Sequence, residues 1–222
     1  MIASRRRLGS AIAPVAERYF AAARDLDVAP DGEPPELFTS AEADRAAGEF
    51  LASAGLGLQR RLIALVPGAA HATKRWPEEH WRELVRRLAP TSDLVVLGGS
   101  GEREIGRRLE QVGEGSVASA AGHFSLLGSA ALLRRADVAV AGDTGLLHMA
   151  TAVRTPVVGL YGPGVPEFGF YPYRAAARVL EQPLSCRPCS AHGSPRCPLG
   201  HHRCLHDTSP DDVAAALGKP IR

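Results

Sequence analysis

The feature that most constrains this chain of 222 residues is a repeated alternation of short apolar runs with amphipathic helical patterns. Continuous apolar runs are typical of strands that are buried on both faces of a sheet. Runs of this kind, one of them short, occur at residues 62–66, 93–97, 116–118, 137–140 and 156–161. Because strands that alternate with helices form a parallel sheet covered by helices on both faces, we predict an α/β, Rossmann-like fold.

The segments that follow the apolar runs carry helical periodicity. Pro77 stands at the first turn of a helix that presents Trp81, Leu84 and Val85 on one face. For the neighbouring Trp76 we favour a role in core packing. Further helices are predicted at about residues 102–112, 125–136 and 144–153. These helices are expected to cover the sheet.

The first quarter of the chain has a different sequence pattern. Helical patterns at about residues 8–26 and 40–54 are separated by a linker rich in Pro, Gly and Asp at residues 27–35. Ser40 is the expected N-cap of the second helix. We therefore predict a short helical interdomain or linker segment over residues 1–58.

The remainder, residues 59–222, is predicted to be the Rossmann-like domain. Near its end, residues 183–206 form a segment rich in Pro, Gly, Cys and His without periodicity, here called the Cys-rich loop. Residues 213–217 then form a last helix that is capped from Ser209.

Charge and hydropathy exclude some functions. The formal net charge is +2, with acidic and basic residues interspersed, so we predict no nucleic-acid partner. No apolar run approaches the length of a membrane span. The basic start of the chain resembles a signal peptide only weakly, because Glu17 and Arg18 interrupt the apolar stretch that follows. We expect a cytoplasmic protein and leave open a peripheral position at the inner face of the cytoplasmic membrane.

Three glycine-rich turns follow predicted strands, at residues 67–74, 98–101 and 142–145. Open α/β sheets bind ligands at the carboxyl ends of their strands, so we expect these turns to converge on one site. The third turn opens a helix, whose first amides and positive dipole end attract an anion. Lys74 or Arg75 could stabilise the charge of a diphosphate leaving group, although both could also be solvated surface charges.

The helix start after residue 142 carries the polar groups of this expected diphosphate site. The Thr144 hydroxyl and the Gly145 amide are suitable phosphate donors. His148 lies one helical turn after Thr144 and could also donate to a phosphate, or be a core histidine. Asp143 is awkward beside phosphates because like charges repel. It could be the N-cap of the helix, or accept hydrogen bonds from a sugar hydroxyl.

Taken in order, the motifs resemble those of glycosyltransferase family 9, the bacterial lipopolysaccharide heptosyltransferases. The resemblance covers nearly the whole chain. The motifs that carry it are Pro67-Gly68, Lys74-Arg75-Trp76-Pro77, Leu97-Gly98-Gly99, Gly142-Asp143-Thr144-Gly145 with His148-Met149-Ala150, Pro156-Val157-Val158 through Tyr161-Gly162-Pro163, the four cysteines of the tail and Ser209-Pro210.

The resemblance implies a GT-B architecture, in which two Rossmann-like domains face each other across a cleft. This chain resembles the C-terminal, donor-binding half, so the N-terminal acceptor domain is expected to be missing from it. The donor would be an ADP-heptose or another nucleoside-diphosphate sugar, and the acceptor a lipid-linked saccharide of the lipopolysaccharide core. Transfer would be inverting. It would need no catalytic metal.

The resemblance also assigns site residues. Thr73 and Lys74, with Asp143, Thr144, Gly145 and His148, would hold the donor diphosphate and its sugar. Glu102 would meet the ribose, with Glu104 as the alternative. The general base is expected in the missing domain, so no catalytic base is identified in this chain. The alternative function is a non-catalytic nucleotide-binding module that works with a separate acceptor-domain protein.

All four cysteines lie in the Cys-rich loop, as Cys186, Cys189, Cys197 and Cys204. The first pair has the spacing of a metal knuckle, whereas the second pair is wider than usual. A structural Zn²⁺, four packed free thiols and disulfides all remain open from the sequence. A closed four-ligand zinc would stabilise the loop and take no part in catalysis.

Overall fold

The computed structural model describes residues 13–221. Its centre is a sheet of six strands in the order β3-β2-β1-β4-β5-β6, and all neighbouring strands run parallel. The strands are β1 (Arg61–Val66), β2 (Ser92–Val96), β3 (Val117–Ser119), β4 (Val138–Gly142), β5 (Val157–Tyr161) and β6 (Ala177–Glu181). The predicted α/β, Rossmann-like fold is confirmed, and five of its six strands lie where the sequence places them.

Eight α-helices are assigned in this part of the chain. They are α1 (Val15–Arg18), α2 (Ala41–Ser53), α3 (Glu78–Leu88), α4 (Arg103–Val112), α5 (Leu126–Arg135), α6 (Gly145–Ala152), α7 (Arg203–His206) and α8 (Pro210–Leu217). None of the helices within residues 13–221 is long and apolar enough to cross a membrane.

The helices form two layers because alternate strand residues point to opposite faces. On one face, Leu62 and Ala64 of β1 pack with α2, α5 and α6. On the other face, Ile63 and Leu65 pack with α3, α4 and α8. The predicted Ser40 cap is confirmed, since its hydroxyl accepts the amide of Ala43 at 3.1 Å. These layers leave the carboxyl ends of the strands uncovered by long helices.

The predicted first helix is only partly confirmed. Its start at residue 8 lies outside the described residues, and the helix that is described begins at Val15, directly after Pro14. A proline cannot sit inside a helix without removing a hydrogen bond, so the predicted pattern could not run through this position. From Tyr19 to Leu26 the chain continues as a 3₁₀ helix.

This N-terminal segment is docked on the domain. The amide of Val15 donates to Gly169 O at 3.0 Å, and Tyr173 OH donates to the Glu17 carboxylate at 2.7 Å.

The strand β6 was not predicted. Its five residues include Arg178 and Glu181, and every one of them is only half-buried because β6 is the last strand of the sheet. An edge strand of this kind lacks the continuous apolar pattern of a central strand. The strand nevertheless pairs with β5 over five registered positions, from Val157 with Ala177 to Tyr161 with Glu181.

Candidate functional site

Two glycines at strand ends let a short turn cross the edge of the sheet. Residues Ala72–Lys74 form a 3₁₀ turn after β1. A Cβ on Gly142, the last residue of β4, would lie 2.9 Å from the backbone oxygen of Lys74. A Cβ on Gly162, just after β5, would lie 2.9 Å from the backbone oxygen of Thr73. The glycines are therefore needed because the turn packs directly on the ends of β4 and β5.

This packing brings Lys74 to the start of α6. Its Nζ lies 2.6 Å from Oδ2 of Asp143, and the two side chains are only 14% and 13% exposed. Nε2 of the more exposed His148 lies 3.8 Å from Oδ1 of Asp143, which is longer than a hydrogen bond. Burial opposes ionisation of Asp143, but its interactions with His148 and Lys74 outweigh burial and hold the pKa of the carboxyl below its usual value.

Asp143 is not the N-cap of α6, so that alternative from the sequence was wrong. The N-cap is Thr144, whose backbone is extended with φ −141°. Asp143 is one residue too early, and its carboxylate is held by Lys74 instead. Among the described residues, Thr144 Oγ1 is one of the few buried side-chain oxygens with no hydrogen-bond partner. Beside it, Gly145 is exposed at the first position of the helix.

Glu102 occupies the second turn, at the carboxyl end of β2. Its Oε2 accepts the amide of Gly99 at 2.8 Å. A Cβ on Gly68 would lie 2.5 Å from the Glu102 side chain, and one on Gly98 would lie 2.6 Å from it, so both glycines make room for this residue. The alternative, Glu104, lies on the exposed face of α4, where Arg107 donates to it at 2.8 Å.

A cavity of about 490 Å³ opens between these turns. It joins Glu102 on one side to Thr144 and Gly145 on the other, as expected for turns that converge on one edge. The apolar part of its lining is supplied mainly by Val66, Leu126, Leu146 and Met149.

Arg75, for which the sequence left open a diphosphate contact or a solvated surface charge, also lines this cavity. Its Nε donates to Ala69 O at 2.7 Å, which fixes the guanidinium against the first turn. Its position directly after Lys74 was the available signal, but the sequence could not say to which side the side chain turns.

Thr73 lies in the turn but does not face the cavity. It is 2% exposed, and its Oγ1 donates to Ser194 O at 3.0 Å and accepts the amide of Ser194 at 2.8 Å. The structure thus places the hydroxyl of this predicted donor-binding residue on the Cys-rich loop. Trp76 is buried, and its Nε1 donates to Thr208 O at 2.9 Å, which confirms the expectation of core packing.

None of the four cysteines forms a disulfide, so the disulfide alternative was wrong. Cys186 Sγ lies 3.9 Å from His201 Nε2. Burial, reinforced by the neighbouring Cys189, raises the pKa of the Cys204 thiol to about 11. Within residues 13–221, no group of three or more His, Cys, Asp or Glu side chains is arranged to hold a metal ion.

The carboxyl edge of the sheet therefore carries Lys74 and the N-terminus of α6, where the Thr144 hydroxyl has no partner among the described residues. It also contains a cavity that is lined on one side by Glu102. Fold and edge together define the chain as a Rossmann-like α/β domain with its cavity at the carboxyl ends of the strands. The chain belongs to glycosyltransferase family 9, the heptosyltransferase family, whose profile matches residues 1–199.

Relatives and solved structures agree with this assignment. The chain is 31% identical over 211 residues to lipopolysaccharide heptosyltransferase 2 of Salmonella typhimurium, covering 90% of this chain and 60% of that protein. It is 37% identical over 130 residues to lipopolysaccharide heptosyltransferase 1 of Pseudomonas aeruginosa, covering 57% and 36%. The chain thus spans about 60% of the length of the first of these relatives.

Among solved structures, a family 9 glycosyl transferase of Veillonella parvula is similar with a TM-score of 0.78 and 27% identity, covering 96% of this chain and 61% of that one. The ADP-heptose lipopolysaccharide heptosyltransferase II of Escherichia coli has a TM-score of 0.72 and 25% identity, covering 98% and 63%. An E. coli heptosyltransferase solved with ADP has a TM-score of 0.56 and 27% identity, covering 78% and 48%.

Proposed function

We propose that this chain binds an ADP-heptose or another nucleoside-diphosphate sugar as the donor for inverting transfer to a lipid-linked saccharide of the lipopolysaccharide-core type. The observation that carries the proposal is the placement of Lys74 beside the N-terminus of α6. A cation and helix amides at one point form a strong site for a diphosphate. The relatives named as heptosyltransferases support this donor class.

Each residue of the edge has a place in this reaction. As the acceptor hydroxyl attacks the anomeric carbon, the bond from that carbon to the diphosphate breaks and negative charge develops on the leaving oxygen. Lys74, the Gly145 amide and the Thr144 hydroxyl would stabilise this charge. Asp143, with His148 beside it, would orient the sugar, and Glu102 would accept hydrogen bonds from the ribose.

The proton of the acceptor hydroxyl needs a general base. Asp143 is paired with Lys74, and Glu102 accepts a backbone amide. In the proposed complex Lys74 holds Asp143 and the ribose occupies Glu102, so neither carboxylate is assigned the role of base. We propose that the base belongs to the part of the relatives that this chain does not span.

A second function follows from the same observation. The chain would be a non-catalytic nucleotide-binding module that works with a separate acceptor-domain protein. In either case we place it on the cytoplasmic side, with a peripheral position at the inner face of the membrane, where a lipid-linked acceptor would be found.

Calorimetric titration with ADP and ADP-heptose tests the donor site. We expect binding of both ligands, and a loss of about tenfold to a hundredfold in affinity for Lys74→Ala. The absence of binding at millimolar ligand would contradict the donor site. Heptose transfer by the purified chain alone would contradict the module, whereas transfer only after addition of an acceptor-domain protein would support it.

The structural zinc expected in the Cys-rich loop remains a prediction. In its favour stands the metal-knuckle spacing of Cys186 and Cys189. Elemental analysis of the protein, purified without chelators or a metal-affinity tag, tests this prediction. One zinc per chain and four protected thiols would support it, whereas metal-free protein with four titratable thiols would contradict it.

A further inference from the structure

We infer that Thr73 is a positioning residue for Lys74, because its hydroxyl ties the turn that carries Lys74 to the Cys-rich loop at Ser194. The inference rests on the proposed function, since the placement of Lys74 bears on ligand affinity only if this edge binds a diphosphate. It gives the Cys-rich loop an indirect role in binding the sugar donor, although no residue of the loop is assigned a contact with that donor.

Three hydrogen bonds join Thr73 to Ser194. The hydroxyl of Thr73 donates to Ser194 O at 3.0 Å and accepts the amide of Ser194 at 2.8 Å. The amide of Thr73 also donates to Ser194 O, at 3.3 Å. Because the side chain of Thr73 is buried, its hydroxyl is committed to this contact and is not offered to a ligand in the cavity.

The turn is held by two sets of contacts. On the sheet side, the backbone oxygens of Thr73 and Lys74 contact Gly162 and Gly142 so closely that a Cβ would not fit. The Cys-rich loop also holds the turn, through the hydrogen bonds of Ser194 to Thr73. Lys74 therefore projects from a backbone that is fixed by both contacts.

Gly193 makes the second contact between loop and turn. Its φ is +91°, and a Cβ would lie 2.9 Å from Cβ of His71. The amide of Lys74 donates to His71 O at 3.0 Å, so His71 and Lys74 move together. A side chain at residue 193 would therefore push the loop away from the turn.

The loop can act as a support because it is itself anchored. The buried guanidinium of Arg187 donates to Gly164 O at 2.7 Å and to the Glu181 carboxylate at 2.6 Å. The amide of Cys189 donates to Pro163 O at 3.1 Å. The loop is thereby fixed to the segment after β5 and to β6, and it transmits that position to the turn.

The primary experiment compares Thr73→Val with Thr73→Ser by titration with ADP. Valine keeps the shape of threonine and removes both hydroxyl hydrogen bonds, whereas serine retains them. We expect an affinity loss of about tenfold for Thr73→Val and recovery of most of this affinity in Thr73→Ser. An unchanged affinity in Thr73→Val would overturn the inference, provided that Lys74→Ala weakens ADP binding.

A double-mutant cycle separates positioning from direct contact. If Thr73 acts through Lys74, Thr73→Val has no further effect on ADP affinity when Lys74 is already alanine. The same tenfold loss in both backgrounds would show that Thr73 contacts the ligand or merely supports the fold, and would overturn the inference. If wild-type protein fails to bind ADP, or Lys74→Ala binds it equally well, the proposed function itself has failed.

A pair of loop variants tests the same contact without altering the turn, and replaces Thr73→Val if that variant does not fold. Gly193→Ala and Gly200→Ala both introduce a side chain at positive φ, but at Gly200 nothing lies within 4 Å of the new Cβ. We expect a loss of ADP affinity only in Gly193→Ala, and no additional loss when it is combined with Thr73→Val. Equal affinities in the two glycine variants would contradict a role of the loop.

Discussion

Nζ of Lys74 lies 2.6 Å from Oδ2 of Asp143, and both groups are largely buried. Burying either charge without a partner would lower the stability of the protein. The ion pair avoids this cost because each group neutralises the other. A diphosphate that enters the site gains the ammonium of Lys74 only in competition with the Asp143 carboxylate. The pair therefore sets both the stability of the empty edge and its affinity for an anion.

Stability and binding should separate when the pair is altered. Lys74→Ala leaves a buried carboxylate with only the longer contact to His148, and we expect a loss of about 2–3 kcal/mol in the free energy of unfolding. The double variant with Lys74→Gln and Asp143→Asn replaces the ion pair by two amides and should recover most of this stability but not ADP affinity. Urea unfolding and calorimetry measure the two quantities, and recovery of ADP affinity in the double variant would contradict the role of Lys74.

Thr144 should give effects of opposite sign on stability and on binding. Its hydroxyl is buried without a partner, a state that costs about 1–3 kcal/mol for a polar group. Thr144→Val removes the hydroxyl and keeps the shape, so the protein should unfold at the same or a higher temperature while its ADP affinity falls about tenfold. Thr144→Ser serves as the control that keeps the hydroxyl. A lower unfolding temperature in the valine variant would mean that the hydroxyl already has a partner in solution.

Glu102 should matter for a nucleoside diphosphate but not for the diphosphate alone. We expect Glu102→Gln to weaken ADP binding about threefold to tenfold, because a charged acceptor to the ribose is lost, and to leave pyrophosphate binding unchanged. Glu104→Gln is the matched control, since Glu104 faces solvent and is held by arginines of its own helix. A weaker binding of both ligands to Glu102→Gln would place this residue at the phosphates instead.

His80 should make stability depend on pH near neutrality. Its ring packs against Trp76, with centroids 5.2 Å apart, and faces His206 at 6.3 Å. Burial, reinforced by the charge of His206, holds its pKa below the usual 6.5. The unfolded chain therefore binds more protons, so this contribution to stability is fully present above pH 6.5 and is lost as the pH falls through the folded-state pKa.

Urea unfolding of the wild type and of His80→Asn between about pH 8 and pH 5 measures this effect. We expect the free energy of unfolding of the wild type to fall more steeply with decreasing pH than that of the variant. Parallel pH profiles would show that His80 titrates alike in the folded and unfolded chains.

The sequence predicted this site best where a backbone pattern dictates the geometry. The glycine turns after β1, β2 and β4 had to meet at one edge once the sheet was parallel, and the start of α6 follows from the turn that contains Gly142. Trp76 was correctly expected in the core because an aromatic residue beside an amphipathic helix usually packs there.

Prediction from the sequence failed where the partner of a side chain lies far away in the sequence. Asp143 was compatible with an N-cap and with a contact to a sugar hydroxyl, and its ion pair with Lys74 was not predicted. The hydroxyl of Thr73 suited a phosphate as well as a backbone, and its partner lies 121 residues further along the chain. The edge strand β6 was missed because partial burial gives it no apolar pattern.

That separation of 121 residues between Thr73 and Ser194 also bears on the order of folding. Contacts between distant positions of a chain form late, because the entropy of closing a long loop must be offset before they contribute. On the ribosome, Lys74, β4 and α6 emerge before residue 194 exists. Folding intermediates and nascent chains that already possess the parallel sheet would therefore hold Lys74 on a loose backbone, and ligand affinity would be the last property of the domain to mature.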